Sequence, residues 1–172
     1  MTKQLQLAIC LLVLFFFASA SSAAGYVGAS IGKTDYDVPT FDDPIGFEIM
    51  GGADLSPNVA FEVSYINFGE SSDNIPPEWK LTATSLAFGA LLKAPLSPTA
   101  SAFIKVGMHM WDIELKEDGF GLIGEDDGTD IFFGFGASFN VDPRLSVGVR
   151  YMSYDFDGDD ITQLLFNVMY GI

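Results

Sequence analysis

The segment IFFGFGASFNV, residues 131–141, alternates large apolar residues with small or polar ones, and this alternation limits what the chain can fold into. Ile131, Phe133, Phe135 and Phe139 share one parity, whereas most of the intervening residues are glycine, serine or asparagine. Successive side chains of a β-strand point to opposite faces of a sheet, so this strand has one bulky apolar face and one small, polar face. The fold must give those two faces different surroundings.

Strand-like runs of the same kind recur along the chain and are separated by turn-forming residues. We identify eight of them, at residues 25–33, 46–54, 59–68, 81–92, 101–112, 130–140, 145–155 and 161–172. Short turns are expected near 55–58, 93–98 and 141–144, and longer loops near 34–45, 69–80, 113–129 and 156–160. An even strand number with short turns at one end and longer loops at the other is typical of outer-membrane barrels.

Away from the ends of the eight runs the bulky parity carries no charge, and the mid-strand ionisable residues fall on the other parity. These residues are Glu48, Glu62, Lys105, His109 and Arg150. A soluble barrel with the bulky face inside is the alternative, but the interior of an eight-stranded barrel is just wide enough for side chains and could not hold so many large ones. The pattern therefore predicts an all-β, eight-stranded antiparallel up-and-down transmembrane β-barrel, because closed barrels and helices are the structures that satisfy backbone polar groups in lipid.

This barrel assigns positions to the aromatic residues. The bulky face is predicted to contact lipid through Phe61, Phe88, Phe133, Phe135 and Phe166. Aromatic residues near strand ends are candidates for the girdles that flank the apolar band of such barrels. They are Tyr26, Tyr65, Tyr151, Tyr154, Tyr170, Trp79 and Trp111.

The first 24 residues have the pattern of a secretory signal peptide, with Lys3 before an apolar run and small residues after it. The run from Leu7 to Phe17 has 11 residues, fewer than the ~20 that a spanning helix needs; an uncleaved helical anchor is the alternative. Cleavage is predicted between Ala24 and Gly25, which leaves a barrel domain at 25–172. The single cysteine, Cys10, lies in the leader, so the mature chain is expected to form no disulfide or thiolate metal site.

The charge is unevenly distributed. The chain has a net charge of −15 although 49% of its residues are hydrophobic. The four predicted long loops with their flanking residues, at 34–45, 69–80, 112–130 and 155–160, hold 19 acidic residues against two basic ones, so their net charge is −17. Such an acidic rim could keep an exposed surface soluble, or it could recruit divalent cations that bridge to lipopolysaccharide, or attract a cationic partner. The chain has no basic patch, which argues against a nucleic-acid partner.

Five segments together resemble the outer-membrane protein beta-barrel domain, the transmembrane domain of outer-membrane protein A type proteins. They are GYVGASIG (25–32), AFEVSYINFG (60–69), FIKVGMHMW (103–111), FGFGASFNV (133–141) and LSVGVRYMSYDF (145–156). The resemblance implies a porin-like barrel of the Gram-negative cell envelope with its termini and short turns in the periplasm. It also implies lumenal acid–base pairs and a last strand read by the barrel assembly machinery. Two departures are Ile172, which stands where the usual terminal aromatic residue is found, and the peptidoglycan-binding domain of larger members, which we do not expect here.

The lumenal charges allow more than one function. A paired network would plug the barrel in a protein with a structural or surface-interaction role, whereas re-pairing would open a narrow pore or a transporter for small or hydrophobic molecules. A third hypothesis is a lipid A-modifying barrel enzyme with His109 as its base. Catalysis needs a nucleophile and an orienting acid within reach of that base, and no serine stands beside His109 in the sequence. We therefore expect a non-enzymatic protein without cofactor or metal.

Overall fold

The computed structural model describes residues 24–38, 40–73, 75–76 and 78–172, and it shows eight antiparallel strands that close into a barrel. The strands are β1 (Ala24–Asp35), β2 (Ile45–Ser56), β3 (Val59–Ser72), β4 (Trp79–Pro95), β5 (Ala100–Glu117), β6 (Gly121–Asn140), β7 (Leu145–Phe156) and β8 (Asp159–Gly171). Each strand pairs with its neighbours in sequence, and β1 also pairs with β8. The predicted eight-stranded antiparallel barrel is confirmed.

The proposed signal peptide lies outside the described residues except for Ala24, which begins β1. Over the ranges that the structure describes, no helix is long and apolar enough to cross a membrane.

The two ends of the barrel differ in their connections. Residues 57–58, 96–99 and 141–144 connect strands at the end where β1 begins and β8 finishes, which we call the terminal end. Residues 36–44, 73–78, 118–120 and 157–158 connect strands at the other end, which we call the acidic end because it carries most of the acidic residues.

The loop predicted at 113–129 is wrong: most of it is a continuation of β5 and β6 as a β-ribbon that turns at residues 118–120. Acidic residues and glycine are poor strand formers, which is why the sequence favoured a loop. The ribbon nevertheless begins with an alternation of apolar and acidic residues, and its inward Ile113 packs against buried apolar residues of the barrel. Packing of the ribbon against the barrel therefore extends the β5–β6 ladder into residues whose own strand preference is low.

The bulky parity faces outward. Phe133 and Phe135 are 55% and 57% exposed, whereas Phe132 between its outward neighbours is 2% exposed. Phe61 and Phe166 are also exposed, and Phe88 is half-buried between the paired residues of the adjacent strands. The outer wall of the barrel is thus apolar from strand to strand.

Three of the predicted girdle positions are wrong, because Tyr26, Trp111 and Tyr154 have the inward parity and lie in the lumen. Trp111 is 5% and Tyr154 0% exposed. The rings of Tyr26 and Trp111 lie against the glycines that face them across the ladder, where a Cβ would collide with each ring. Nearness to a strand end suggested a girdle, but parity decides which way a ring points. Of the other predicted girdle residues, Tyr65, Tyr151 and Tyr170 are exposed and outward, whereas Trp79 has the inward parity of β4 and is exposed because it begins that strand at the acidic end.

Buried side chains cross the lumen in layers. Toward the acidic end lies a layer of buried, mostly apolar residues, which we call the apolar layer; it comprises Tyr36, Ile66, Phe68, Ala83, Ala87, Trp111, Phe132, Met152, Tyr154, Phe156, Ile161 and Leu165. Toward the terminal end lies a smaller cluster of Ala60, Leu91 and Phe103, against which Tyr26 packs. The strands bring the charged lumenal residues into the space between these two clusters.

Candidate functional site

Four buried charged side chains meet in the middle of the lumen, and we call them the ionic network. Lys105 Nζ lies 3.3 Å from Glu48 Oε1 and also contacts Glu62 Oε1. Arg150 Nη1 lies 3.1 Å from Glu48 Oε2 and 3.1 Å from Glu62 Oε1. Each cation therefore bridges both carboxylates, and the formal charges of the four groups cancel.

Each member of the network comes from a different strand, β2, β3, β5 or β7, and each has the inward parity of its strand. The sequence placed these residues in the lumen for that reason. Parity gives the face but not the height along the barrel, which follows from the register of the hairpins. For example, Glu62 faces Gly52 on one side and Gly89 on the other; the space above Gly52 is taken by the Tyr26 ring and the space above Gly89 by the Phe132 ring and the Lys105 side chain.

Neighbouring groups satisfy the remaining polar atoms of the two carboxylates. The Ser30 hydroxyl donates to Glu48 Oε2 at 3.1 Å, and the Tyr26 hydroxyl donates to Glu62 Oε2 at 3.1 Å. Lys105 Nζ also lies 3.3 Å from Ser64 Oγ. Buried charges are tolerated when they are both paired and hydrogen-bonded, and here both carboxylates meet that condition.

Two phenylalanine rings enclose the cations from opposite sides. Lys105 Nζ lies 5.4 Å from the centre of the Phe132 ring, and Arg150 Cζ lies 5.6 Å from the centre of the Phe103 ring. A cation within about 6 Å of an aromatic ring is attracted by the ring quadrupole. Phe132 belongs to the apolar layer and Phe103 to the smaller cluster, so the network is bounded by apolar side chains above and below.

The sequence groups His109 with these charges, but the structure places its imidazole against rings of the apolar layer instead. Its Nε2 donates to the Asp155 carbonyl oxygen at 2.8 Å, and its Nδ1 lies 3.0 Å from Ser85 Oγ. The rings of Tyr154 and Phe156 pack edge-on against the imidazole. Sequence reasoning missed Ser85 because this contact crosses from β4 to β5 rather than joining neighbours in the chain.

Acidic residues of the β5–β6 ribbon face one another directly. Asp112 pairs with Asp127 and Glu114 with Glu125 across the ladder. Like charges in directly opposed positions destabilise a strand pair. Lys116 Nζ lies 2.6 Å from Glu114 Oε2, and this carboxylate raises the pKa of the Lys116 ammonium.

Among the residues that the structure describes, no group of three or more histidine, cysteine or acidic residues is arranged to hold a metal ion.

The chain is similar in sequence to curated outer-membrane proteins. It is 25% identical over 162 residues to Outer membrane protein A of Shigella flexneri, an alignment that covers 83% of this chain and 46% of that protein. The chain thus spans about half the length of the curated relatives it matches.

Solved structures show the same fold at low sequence identity. The N-terminal barrel domain of Pseudomonas aeruginosa OprF is similar with a TM-score of 0.64 and 12% identity, over 88% of this chain and all of that one (100%). Ail, the attachment invasion locus protein of Yersinia pestis, was solved in complex with the heparin analogue sucrose octasulfate. It is similar with a TM-score of 0.61 and 12% identity, over 87% of this chain and 97% of Ail.

The family model described as "Outer membrane protein beta-barrel domain" matches residues 8–171. That match, the outward apolar wall and the closed eight-stranded sheet agree, and the chain belongs to the outer membrane protein beta-barrel domain family, whose barrels lie in the outer membrane of Gram-negative bacteria.

Proposed function

We propose that this protein is a plugged barrel with a structural or surface-interaction role in the outer membrane. The observation that carries the proposal is the filled lumen: a balanced, fully buried ionic network lies directly against a layer of buried aromatic and aliphatic side chains. An ion crossing the barrel would have to pass a packed layer of mostly apolar side chains and then separate paired charges, and both steps carry a high free-energy cost.

Single-channel recording in planar bilayers tests the plug. The wild-type protein is expected to give no conductance steps. A triple variant, Phe132→Ala, Tyr154→Ala and Phe156→Ala, removes three rings of the apolar layer and is expected to give steps. The matched control, Phe133→Ala with Phe135→Ala and Phe139→Ala, shortens three outward rings and should stay silent. Steps in the wild-type protein as large as those of the triple variant would support the second function, a narrow pore.

We further propose that the acidic end faces the cell exterior and the terminal end the periplasm. The acidic end carries a large excess of negative charge and a projecting ribbon, which suits an aqueous surface better than an apolar one. The variants Asp118→Cys at the ribbon turn and Ser97→Cys at a terminal-end turn test this orientation. A membrane-impermeant maleimide should label the first on intact cells and leave the second unlabelled; the reverse pattern would invert the barrel.

We propose that the carboxylates of the acidic end bind divalent cations that also contact the phosphates of lipopolysaccharide. Opposed carboxylates such as Glu114 and Glu125 repel each other less when a cation lies between them and a lipid phosphate. Protein in vesicles with lipopolysaccharide in the outer leaflet should gain thermal stability from Mg²⁺, and Glu114→Gln with Glu125→Gln should reduce that gain. An equal gain in phospholipid vesicles would argue against lipopolysaccharide as the partner.

We propose no catalytic role for His109. Its Nε2 is committed to a backbone carbonyl rather than to an orienting carboxylate, and the imidazole is buried among aromatic rings. Replacing His109 by Ala should therefore leave the lipid A composition of the outer membrane unchanged. A change in acylation that depends on both His109 and Ser85 would establish the enzyme instead.

A further inference from the structure

A cleft of about 330 Å³ occupies the lumen at the terminal end. Arg150, Phe103 and Met169 line its inner part, and Lys93 and Arg144 line its outer part. The ionic network closes it on the inner side because Arg150 belongs to both. The cleft is therefore a blind pocket that opens toward one end of the barrel.

The guanidinium of Arg150 uses only part of its bonding capacity. Nη1 serves both network carboxylates. The acceptor near Nη2 is the Met169 sulfur at 3.9 Å, and Nε has no hydrogen-bond partner within the described ranges. An arginine side chain has five N–H donors in one plane. Leaving such donors buried and unpaired is costly, so they call for a physical explanation.

The Nε–Nη2 edge of a guanidinium matches the spacing of two carboxylate oxygens and holds them through parallel hydrogen bonds. In this barrel Met169, which adjoins Nη2, and Phe103, which packs against Cζ, both line the cleft. The underused edge of Arg150 thus lies at the cleft, behind apolar walls. A ligand that fits has an anionic planar group at one end and an apolar body.

We infer that this cleft is a binding site for small monocarboxylates with an apolar body, such as an aromatic or short-chain aliphatic acid. Arg150 would hold the carboxylate, and Phe103, Leu91 and Met169 would contact the apolar part. The volume is near the lower end of the range for ligand pockets, which limits the ligand to a small molecule. A phosphate dianion fits less well, because it would add two negative charges beside a network that is already balanced.

The charge distribution supports entry from the terminal end. The acidic end repels anions, whereas the four charged residues at the terminal end, Asp54, Lys93, Asp142 and Arg144, sum to zero. At the mouth, Lys93 is paired with Asp54 at 2.6 Å, and the backbone N–H of Arg144 donates to Asp142 Oδ1 at 2.7 Å in an exposed turn. This site goes beyond the plugged-barrel role: binding at the cleft would persist even if ions crossed the network.

Calorimetric titration of the purified protein in dodecyl maltoside with benzoate tests the site. Benzoate should bind saturably, and benzamide, a neutral molecule of nearly the same shape, should bind roughly tenfold or more weakly, as expected when a charged hydrogen bond is lost. Ser146→Leu adds bulk at the cleft lining without removing a network group and should abolish binding. Thr129→Leu makes a similar change on an exposed site of β6 and should leave the benzoate affinity unchanged.

Arg150→Lys keeps the positive charge beside Glu48 and Glu62 but lacks the two-nitrogen edge, so benzoate affinity should fall roughly tenfold or more. If this variant does not fold, the Ser146→Leu titration decides. The proposal is overturned if the wild-type protein does not bind benzoate, if benzamide binds as tightly, or if Ser146→Leu binds benzoate like the wild type. In each of those cases the underused arginine edge serves only ordinary hydration of the lumen.

Discussion

The barrel contains two highly charged regions that follow opposite rules. In the ionic network, two acids and two bases are completely buried, and every charge faces an opposite charge within hydrogen-bond distance or close to it. At the acidic end, carboxylates face carboxylates across the β5–β6 ribbon and remain exposed. Burial makes pairing obligatory because an unpaired charge cannot be solvated, whereas water and salt screen the repulsion of exposed charges.

The largest effect is expected from breaking the buried pairing. Arg150→Met leaves Lys105 as the single cation beside Glu48 and Glu62. Removing one partner of a buried ion pair costs about 3–5 kcal/mol. Urea unfolding of the protein in lipid vesicles should show that loss of unfolding free energy. Arg144→Met, at an exposed turn of the terminal end, is the control and should change it by less than about 0.5 kcal/mol. Similar losses of unfolding free energy in both variants would mean that pairing matters no more for the buried charges than for the exposed ones.

The apolar surroundings of the network give the next effect. Phe132 is buried beside Lys105, and Phe133 points outward. Phe132→Ala should cost about 3–5 kcal/mol by leaving a cavity in the lumen. Phe133→Ala should cost clearly less, because mobile lipid chains can fill the space. The same urea assay compares the two variants, and a larger loss for Phe133→Ala would contradict the outward placement of the bulky face.

Relieving repulsion at the acidic end should produce the smallest effect, and it should be stabilising. Glu125→Gln removes one opposed like-charge pair, worth about 0.2–1 kcal/mol, and leaves the contact between Lys116 and Glu114 in place. The gain in unfolding free energy should shrink when the salt concentration rises, because exposed charges are screened. A loss of stability that persists at high salt would show that these carboxylates are held in place like those of the network.

The sequence predicts the outline of the fold through alternation alone, and that is why the outward placement of Phe133 and the inward placement of Arg150 could be anticipated. The predicted positions were wrong where nearness to a strand end was used instead of parity to assign the direction of an aromatic side chain. Tyr26 and Trp111 lie opposite inward glycines that leave space for their rings, and a search for such facing pairs would have placed them in the lumen.

Other features depend on register, which no single strand reveals. The Ser85–His109 contact requires β4 and β5 to be aligned. The long β5–β6 ribbon depends on packing of its inward apolar residues rather than on the preferences of its acidic ones. The apolar layer was missed because Phe68, Phe132 and Met152 come from separate strands and form one group only after the sheet closes.

The seam between β1 and β8 is an ordinary antiparallel ladder, with pairs from Tyr26 and Gly171 to Asp35 and Thr162. Nothing in the hydrogen bonding of the sheet therefore distinguishes the first strand from any other. A circular permutant could join the end of β8 to the beginning of β1 by a short linker and open the chain at the turn of residues 96–99. It would keep all eight ladders. The order of synthesis would change while the finished cylinder stayed the same.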